Sequence, residues 1–376
     1  MDGSTTPRHD PRGPLIGDDQ AVALLSELVA IPSVSGDERA AAAYLSSWLA
    51  AHGADAHVDD SGSAVGVFSG ESTGTGWLDI VLLGHIDTVP GSIPVRIENG
   101  ELWGRGSVDA KGSLATFAVA AAGLAIPPGI RVIVIGATEE EAASSRGARH
   151  AARRFSPRAC IIGEPSGSSA VTIGYKGRLV VHASITTDGA HSAGPEPTAA
   201  ELAVDRWRAV EELSRSLAAQ NAGVFNRVQC KLRAINSSSD GLHDRAEMHI
   251  GLRLPPGVDP EAVEARIREV WEGVEARFTG HEHAHVDDPR SWLVQCMTRA
   301  IRARGVQPRL LKKTGTSDMN VVARAWSCPI VAYGPGDSAL DHSPVERLPI
   351  TEYLDAVRTL RAALSDAAAE LAATPA

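Results

Sequence analysis

Residues 81–91 read VLLGHIDTVPG, a continuous apolar run that ends in a histidine and an aspartate just before a Pro-Gly turn. A run of this kind is typical of a strand buried on both faces of a parallel sheet. His85 and Asp87 stand two positions apart, so alternating side-chain directions would place both on one side at the end of the strand. Taken alone, the fragment is equally compatible with a polar surface loop.

Three more apolar runs predict buried strands: RVIVIG at 131–136, ACIIG at 159–163 and CPIVAYG at 328–334. An Ala-rich stretch, SLATFAVAAAGLA, separates the first strand from the second and predicts a helix. Amphipathic patterns at 20–31 and 38–53 predict two helices before the first strand. This alternation of strands and helices predicts an α/β domain with a mostly parallel sheet.

The pattern changes between residues 178 and 286, where strands and helices follow a β-α-β-β-α-β order. We therefore expect an α+β domain inserted into the first domain. The predicted boundaries are a flexible N-terminal tail at 1–18, a metal-binding catalytic domain at 19–177 and 287–376, and a lid and dimerisation domain at 178–286.

Composition narrows the class of protein. The 376 residues carry a net charge of −10, which argues against nucleic acid as the main partner. No run of about 18 apolar residues predicts a membrane span, and the polar N-terminus lacks the apolar segment of a signal peptide. We expect a cytoplasmic protein. Its four cysteines are far apart, which predicts reduced thiols rather than disulfides or zinc ligands.

Acidic residues and a second histidine follow the predicted strands. Three glutamates at 139–141 follow the second strand, Glu164 follows the third, and Asp341 and His342 follow the fourth. Asp109 precedes the Ala-rich helix, at a good N-cap position. Singly, these are ordinary caps and loop residues. Together, at the carboxyl edge of a sheet, the carboxylates would repel each other unless divalent cations compensated them. Histidine with carboxylate suits zinc, with cobalt or manganese as alternatives.

Several motifs of the chain stand in an order that resembles a known family. They are GHIDTVP, GRGSVDAKG, the glutamate pair, GEP, GAHSAGPE, GTSD and DHSPVE. That family is the group of co-catalytic zinc hydrolases that includes acetylornithine deacetylase, succinyl-diaminopimelate desuccinylase, aminoacylase and glutamate carboxypeptidase. The resemblance implies that His85 and Glu164 bind one metal ion and that Glu140 and His342 bind the other. It implies that Asp109 bridges both ions and that the peptide bond after Asp109 is cis.

The resemblance also assigns the proton chemistry. Asp87 would orient the first histidine through its second ring nitrogen. Glu139 would be the general base that takes the proton of a water and passes it to the leaving amine. The family usually shows Asp-Glu-Glu where this chain has TEEE at 138–141. A register shifted by one residue, with Glu140 as base and Glu141 as ligand, therefore stays open; in the first register Glu141 has no role.

The resemblance extends to substrate binding. His191 would stabilise the oxyanion, and in relatives the equivalent histidine reaches the active site of the partner subunit, which implies a homodimer. Arg253, with Gly315, Thr316 and Ser317 of the GTSD loop, would hold the carboxylate of the substrate.

Within the family, GHIDTVPGSIPVRIENGELWGRG, GEPSGSSAVTIGYKGRL, AINSSSD and KKTGTSDMN look like the hydrolases that release lysine or ornithine from a small acidic amino-group carrier protein. The amide cut there joins the C-terminal γ-glutamyl carboxyl of the carrier to the α-amine of the amino acid. Lys176, Arg178, Lys312 and Lys313 would then form a basic docking rim. The alternatives are a deacylase of a free metabolite such as N-acetylornithine or N-succinyl-diaminopimelate, and a non-catalytic binding homologue.

Overall fold

A computed structural model describes residues 16–74, 76–191, 193–217 and 223–373. The helices are α1 Asp18–Ala30, α2 Arg39–Ala51, α3 Lys111–Ala121, α4 Arg146–Arg154, α5 Ala199–Ser216, α6 Pro260–Val270, α7 Trp292–Ala303, α8 Asp318–Val322 and α9 Ile350–Ala373. The strands are β1 Asp55–Val58, β2 Ala64–Ser69, β3 Leu78–His85, β4 Arg96–Glu98, β5 Glu101–Trp103, β6 Ile130–Ala137, β7 Ala159–Gly163, β8 Ala170–Tyr175, β9 Gly177–Asp188, β10 Gln229–Ser239, β11 His243–Leu254, β12 Glu275–Glu282, β13 His285–Val286, β14 Arg309–Lys313, β15 Ile330–Ala332 and β16 Arg347–Pro349. The tail expected at 1–18 lies outside the described residues as far as residue 15, and α1 already begins at Asp18.

The chain forms two units. The first unit holds the residues up to Ile173, Asp287–Leu311 and the residues from Val321 onward, and the second unit holds Gly174–Val286 and Lys312–Asn320. The second unit therefore starts four residues earlier than the sequence pattern indicates and includes a later segment, 312–320. The amide of Asn320 explains why, because its nitrogen donates to the carbonyl oxygens of Lys176 and His283 at 3.0 and 2.7 Å.

The sheet of the first unit runs in the order β1-β2-β6-β3-β7-β15-β8. Strand β3 is parallel to both β6 and β7, and β15 is parallel to β7. Antiparallel pairings add β2 and then β1 beyond β6, and β8 beyond β15. The α/β class with a mostly parallel sheet is thus confirmed at the centre of the sheet. The carboxyl ends of β3, β6, β7 and β15 meet at one edge, as parallel pairing requires.

Helix α3 is buried along its whole length and packs directly on this centre. A Cβ atom placed on Gly84 or Gly136 would lie 3.3 or 3.1 Å from the side chain of Leu114. The absence of side chains at these two positions lets the helix approach the strands closely. The residues that precede the helix are thereby held at the carboxyl edge of the sheet.

The second unit is a four-stranded antiparallel sheet in the order β10-β11-β9-β12. Its element order, β9-α5-β10-β11-α6-β12, confirms the β-α-β-β-α-β pattern. Helices α5 and α6 cover one face, where residues such as Val181 and Ile250 pack against Val210 and Ile267. The side chains that alternate with these residues project from the opposite face.

None of the described helices combines the length and the apolar character that a bilayer crossing needs. Cys160, Cys230, Cys296 and Cys328 carry free thiols, as their separation in the sequence predicts.

Candidate metal centre

His85 ends strand β3 with its side chain 2% exposed. Its Nδ1 lies 3.0 Å from the backbone oxygen of Asp87 and 3.5 Å from the carboxylate of the same residue. Its Nε2 lies 3.3 Å from the carboxylate of Asp109. Asp87 therefore orients the ring from its Nδ1 side and leaves Nε2 directed at the acidic cluster. A hydrogen bond on one ring nitrogen that fixes the other for a ligand is typical of metal-binding histidines.

The carboxylate of Asp87 also holds the backbone of the turn after β6, which the sequence analysis did not predict. It accepts hydrogen bonds from the backbone amides of Glu140 and Glu141 at 3.1 and 3.0 Å, and from the hydroxyl of Ser35 at 2.7 Å. Burial opposes ionisation of this group, but the bonds with His85, Ser35 and the Glu141 amide outweigh it and hold the pKa of Asp87 below its ordinary value. Asp87 thus fixes both the histidine and the turn after β6.

Asp109 stands between the two imidazoles. Its Oδ1 lies 3.3 Å from Nε2 of His85, and its Oδ2 lies 3.1 Å from Nε2 of His342. The N-cap of α3 is Ala110, so the sequence-based N-cap position was wrong by one residue; the carboxylate faces the imidazoles instead. The peptide bond that follows Asp109 is cis, as the family resemblance implied. The two oxygens of one carboxylate, each facing a different histidine, form the geometry of a bridging ligand.

His342 lies beside Glu141. Its Nε2 is 2.8 Å from Oε1 of Glu141, and potential ligand atoms of His85, Asp109 and Glu141 all lie within 4.8 Å of one another. These contacts favour Glu141 over Glu140 as the residue that shares a metal with His342. The reason is the path of the turn, whose amides at positions 140 and 141 are both tied to Asp87. The geometry favours the shifted register.

Glu140 joins the other side of the cluster. Its carboxylate and potential ligand atoms of His85 and Glu164 lie within 4.8 Å of one another. Glu164 directly follows β7 and is 9% exposed. Strand β7 pairs in parallel with β3, which ends at His85, so the two side chains leave the sheet at the same edge.

Glu139, which sequence analysis named as the base, points to a different set of partners. Its carboxylate accepts a hydrogen bond from the hydroxyl of Ser144 at 2.5 Å and lies 3.6 Å from the guanidinium of Arg146. Its backbone is in the left-handed region, with φ at 60°, and its amide donates to Glu38. This turn directs the side chain toward the start of α4. These contacts favour the shifted register, in which Glu140 is the base, and the assignment of Glu139 as base stays a prediction.

A further carboxylate, that of Glu346, supports the backbone at Asp109. The sequence analysis did not identify it. It is fully buried, and its Oε1 accepts hydrogen bonds from the amides of Val108 and Asp109 at 2.9 and 3.1 Å. Its Oε2 pairs with Arg105 at 2.7 Å. Glu346 belongs to the DHSPVE motif, so the available signal was an acid four residues after a candidate histidine ligand.

Three groups of this cluster, Glu141, His342 and His85, have raised pKa values. Burial, with the nearby charge of Asp109, raises the pKa of Glu141 to about 7. The hydrogen bond with Asp109 raises the pKa of His342 to about 9. Burial opposes the charged form of His85, yet Asp109 and Asp87 raise its pKa well above the ordinary value. The site thus attracts positive charge, and its oxygen and imidazole donors fit a pair of divalent cations.

Residues 81–366 match the model of peptidase family M20/M25/M40. The chain belongs to that family.

Relatives in the M20/M25/M40 family support the fold and the grouping. A LysW-lysine hydrolase of Deinococcus radiodurans is 49% identical over 352 residues, which cover 91% of this chain and 95% of that protein. The aminopeptidase PepT of Bacillus cereus superimposes with a TM-score of 0.76 at 19% identity, covering 94% of this chain and 99% of that one. A metallo-carboxypeptidase of Sulfolobus solfataricus gives 0.71 at 18% identity, covering 92% and 99%. At such identities the two structures show the shared fold alone.

The expected substrate-binding residues lie in the second unit of this M20 chain. Nη1 of Arg253 donates to the hydroxyl of Thr316 at 2.8 Å, which brings β11 and the GTSD loop together. The loop is braced by Ser317, whose amide donates to Asn320 at 2.9 Å and whose hydroxyl accepts from the amide of Met319 at 3.2 Å. Gly315 has open space where a Cβ would lie.

His191 is exposed in the turn after β9, also in the second unit. Its Nδ1 accepts a hydrogen bond from the amide of Ala193 at 3.2 Å, and its carbonyl accepts from Gly194 at 2.7 Å. The ring is thus positioned by its own loop, and its role in oxyanion binding stays a prediction.

The predicted docking rim needs a correction. Lys176 is fully buried, and its ammonium donates to the carbonyl of Arg227 at 2.5 Å and to the side chain of Gln229 at 2.9 Å. It cannot meet a partner protein. Arg178 is paired with Glu282 at 3.0 Å, and Lys313 is half-buried, which leaves Lys312 as the exposed member of the four.

Proposed function

We propose that this chain is an amide hydrolase that needs two divalent metal ions and releases lysine, ornithine or a related amino acid from the γ-glutamyl C-terminus of a small acidic amino-group carrier protein. The observation that carries the proposal is the carboxylate of Asp109, which faces the imidazoles of both His85 and His342. A carboxylate between two ligand sets is suited to a two-metal hydrolytic centre. The relative named LysW-lysine hydrolase supports the choice of substrate.

The two ligand sets divide the cluster. Asp109, His85 and Glu164 would hold one ion, and Asp109, Glu141 and His342 would hold the other. Zinc suits imidazole with carboxylate, and cobalt or manganese can replace it. Bound there, the ions would lower the pKa of a shared water and polarise the carbonyl of the scissile amide.

Glu140 moves the proton. Its carboxylate lies in the cluster with His85 and Glu164, while Asp87 fixes its backbone amide. Glu140 takes a proton from the attacking water and delivers it to the α-nitrogen of the departing amino acid as the C–N bond breaks. The products are the free amino acid and the γ-carboxylate at the end of the carrier, so one water is consumed for each amide cut.

Arg253 and Thr316 would hold the carboxylate of the substrate. Their hydrogen bond presents a guanidinium beside a hydroxyl, and a guanidinium binds a carboxylate through two parallel hydrogen bonds. Gly315 and Ser317 flank this pair in the loop. His191 would stabilise the oxyanion that forms at the scissile carbonyl, as the family resemblance implies.

A homodimer joined through the second unit is part of the proposal. Strand β10 lies at the edge of the four-stranded sheet, and its 11 residues contain no proline. Most of the strand is exposed, including Ile235 at 39%. A long exposed edge strand presents unpaired backbone groups that a second copy can satisfy.

The decisive experiment mixes the purified enzyme with a carrier charged with lysine or ornithine and follows release of the amino acid by mass spectrometry. N-acetylornithine and N-succinyl-diaminopimelate serve as small-substrate controls. We expect turnover of the charged carrier and loss of that turnover after removal of the metals. Equal or better efficiency on either free metabolite would instead make the protein a small-molecule deacylase. Absence of turnover on all substrates by a metal-loaded protein would favour a binding role.

A further inference from the structure

The sheet of the second unit has an uncovered face. Along β11, Ile250 and Leu252 pack under the helices, and Glu247, His249, Gly251 and Arg253 alternate with them. Side chains on neighbouring strands that pair with this second set share its face. We call this surface the open face and define it by Arg178, His182, Lys231, Arg233, His249 and Arg277.

Pairing register places the cations of the open face on its two edge strands, β10 and β12, on either side of His249 and His182. Lys231 on β10 is directly opposite Gly251 on β11, and Arg277 on β12 is directly opposite His182 on β9. Arg233 sits at an irregularity in β10 and crosses over β11, because a Cβ on Gly251 would lie 3.3 Å from its Cδ. The absence of a side chain at Gly251 makes room for the guanidinium chain.

The open face also carries two acids, Glu247 and Glu275, but neither forms an ion pair with these three cations among the described residues. Lys231, Arg233 and Arg277 are exposed, and no ion pair joins them to an acid within the described parts of the chain. Other cations of the sheet are paired, since Arg178 contacts Glu282 at 3.0 Å and Arg245 contacts Glu247 at 2.8 Å. The chain as a whole carries a net charge of −10. The open face therefore has three exposed cations without an acidic partner against the one acid Glu275, so it stays basic on an acidic protein. An acidic partner would complement that charge.

Two histidines on the open face, His182 and His249, have lowered pKa values. The rings of His182 and His249 stack with their centroids 4.4 Å apart. Burial and the guanidinium of Arg277 lower the pKa of His182, and burial, His182 and Arg233 lower that of His249. A cavity of about 320 Å³ lies over the pair and could receive one side chain of a partner.

We propose that the open face, through Lys231, Arg233 and Arg277, is the docking surface for the acidic carrier protein. The inference rests on the proposed function and refines it, because these three cations replace the expected rim that included the buried Lys176. Arg253 projects from the same face and pairs in register with Arg178. The carrier thus lies across the open face, between the cations of β10 and Arg277 of β12, while Arg253 holds the carboxylate of the attached amino acid.

The test is a triple charge reversal, Lys231→Glu, Arg233→Glu and Arg277→Glu. The matched control reverses three exposed arginines of the first unit, Arg290→Glu, Arg302→Glu and Arg324→Glu, so that both variants have the same net charge. kcat/KM is measured on the lysine-charged carrier and on free γ-glutamyl-lysine, each at low and high salt. Circular dichroism and metal content confirm that both variants fold and load metal.

We expect the open-face variant to lose about tenfold or more in kcat/KM on the carrier at low salt, with the deficit shrinking as salt screens the charges. Its efficiency on γ-glutamyl-lysine should stay unchanged, and the control should lose less than about threefold on the carrier. Equal losses in the two triple variants would overturn the docking surface, since net charge alone would then explain them. Failure of the wild-type enzyme to turn over the carrier at all would instead overturn the proposed function.

Discussion

The imidazole of His342 lies 2.8 Å from the carboxylate of Glu141, although the two residues are 201 positions apart in the chain. Three consecutive glutamates follow β6, and this contact distinguishes them. Glu141 reaches the second histidine, Glu140 reaches the first, and Glu139 turns toward Ser144. Each of the three neighbouring side chains therefore has a different expected role, which substitution can separate.

Glu140→Gln should keep both metal ions and reduce turnover by about 10²–10⁴-fold, because it removes the proton acceptor while the ligand sets remain. Glu139→Gln is the matched control one residue away and should retain turnover of the same order as the wild type. Metal content and turnover rate are measured for both variants. An inactive Glu139→Gln with an active Glu140→Gln would restore the unshifted register.

Glu141→Gln should lose about one of two metal equivalents, since an amide oxygen is a weaker ligand than a carboxylate and His342 would keep Asp109 as its remaining partner. Elemental analysis after dialysis against a weak chelator measures the stoichiometry. His342→Gln should give the same loss. Retention of two equivalents by both variants would remove these residues from the ligand set.

Glu346→Gln should lower the free energy of unfolding by about 1–3 kcal/mol, because Arg105 loses a buried charged partner. Glu101→Gln is a suitable control, since its partner Arg347 and Glu101 itself are about one-third exposed and such pairs contribute less than about 1 kcal/mol. Urea unfolding of the metal-loaded proteins measures both. If Glu346 also positions Asp109, its substitution should weaken metal affinity, which the control should leave unchanged.

Lys176 should make stability depend on pH. Burial, with the charges of Arg253 and Arg227, lowers the pKa of Lys176 to about 8 in the folded protein, against about 10.4 for a lysine in an unfolded chain. Between these values the unfolded chain binds more protons, so the contribution of Lys176 to the free energy of unfolding rises with pH. Below about pH 8 the folded protein bears the full cost of the buried charge.

The measurement is the difference in unfolding free energy between the wild type and Lys176→Met from pH 7 to 10. The wild type should gain on the variant from about pH 8 upward, by at most about 1.4 kcal/mol for each pH unit. Lys312→Met replaces an exposed lysine and should give a difference that is flat with pH. A flat difference for Lys176→Met as well would mean that its ammonium is solvated.

The sequence by itself predicted the elements and the edge of the sheet at which the site lies. Strand β7 has the predicted bounds, and β3 and β6 each extend one residue beyond both ends of their apolar runs, DIVLLG at 79–84 and RVIVIG at 131–136. The β-α-β-β-α-β order of the second unit is as predicted. These features are readable because hydrophobic periodicity is a local property of the chain, and because parallel strands bring their carboxyl ends to one edge.

The tertiary structure alone decided which side chains meet there and which are buried. The choice of Glu141 over Glu140 beside His342 depends on the path of one turn, which the buried carboxylate of Asp87 ties down through two amides. Glu346 supports Asp109 across 237 positions, and Lys176 is buried by contacts 51 and 53 positions away. Such contacts leave no periodic trace in the sequence, because each depends on the three-dimensional packing of segments that are far apart along the chain.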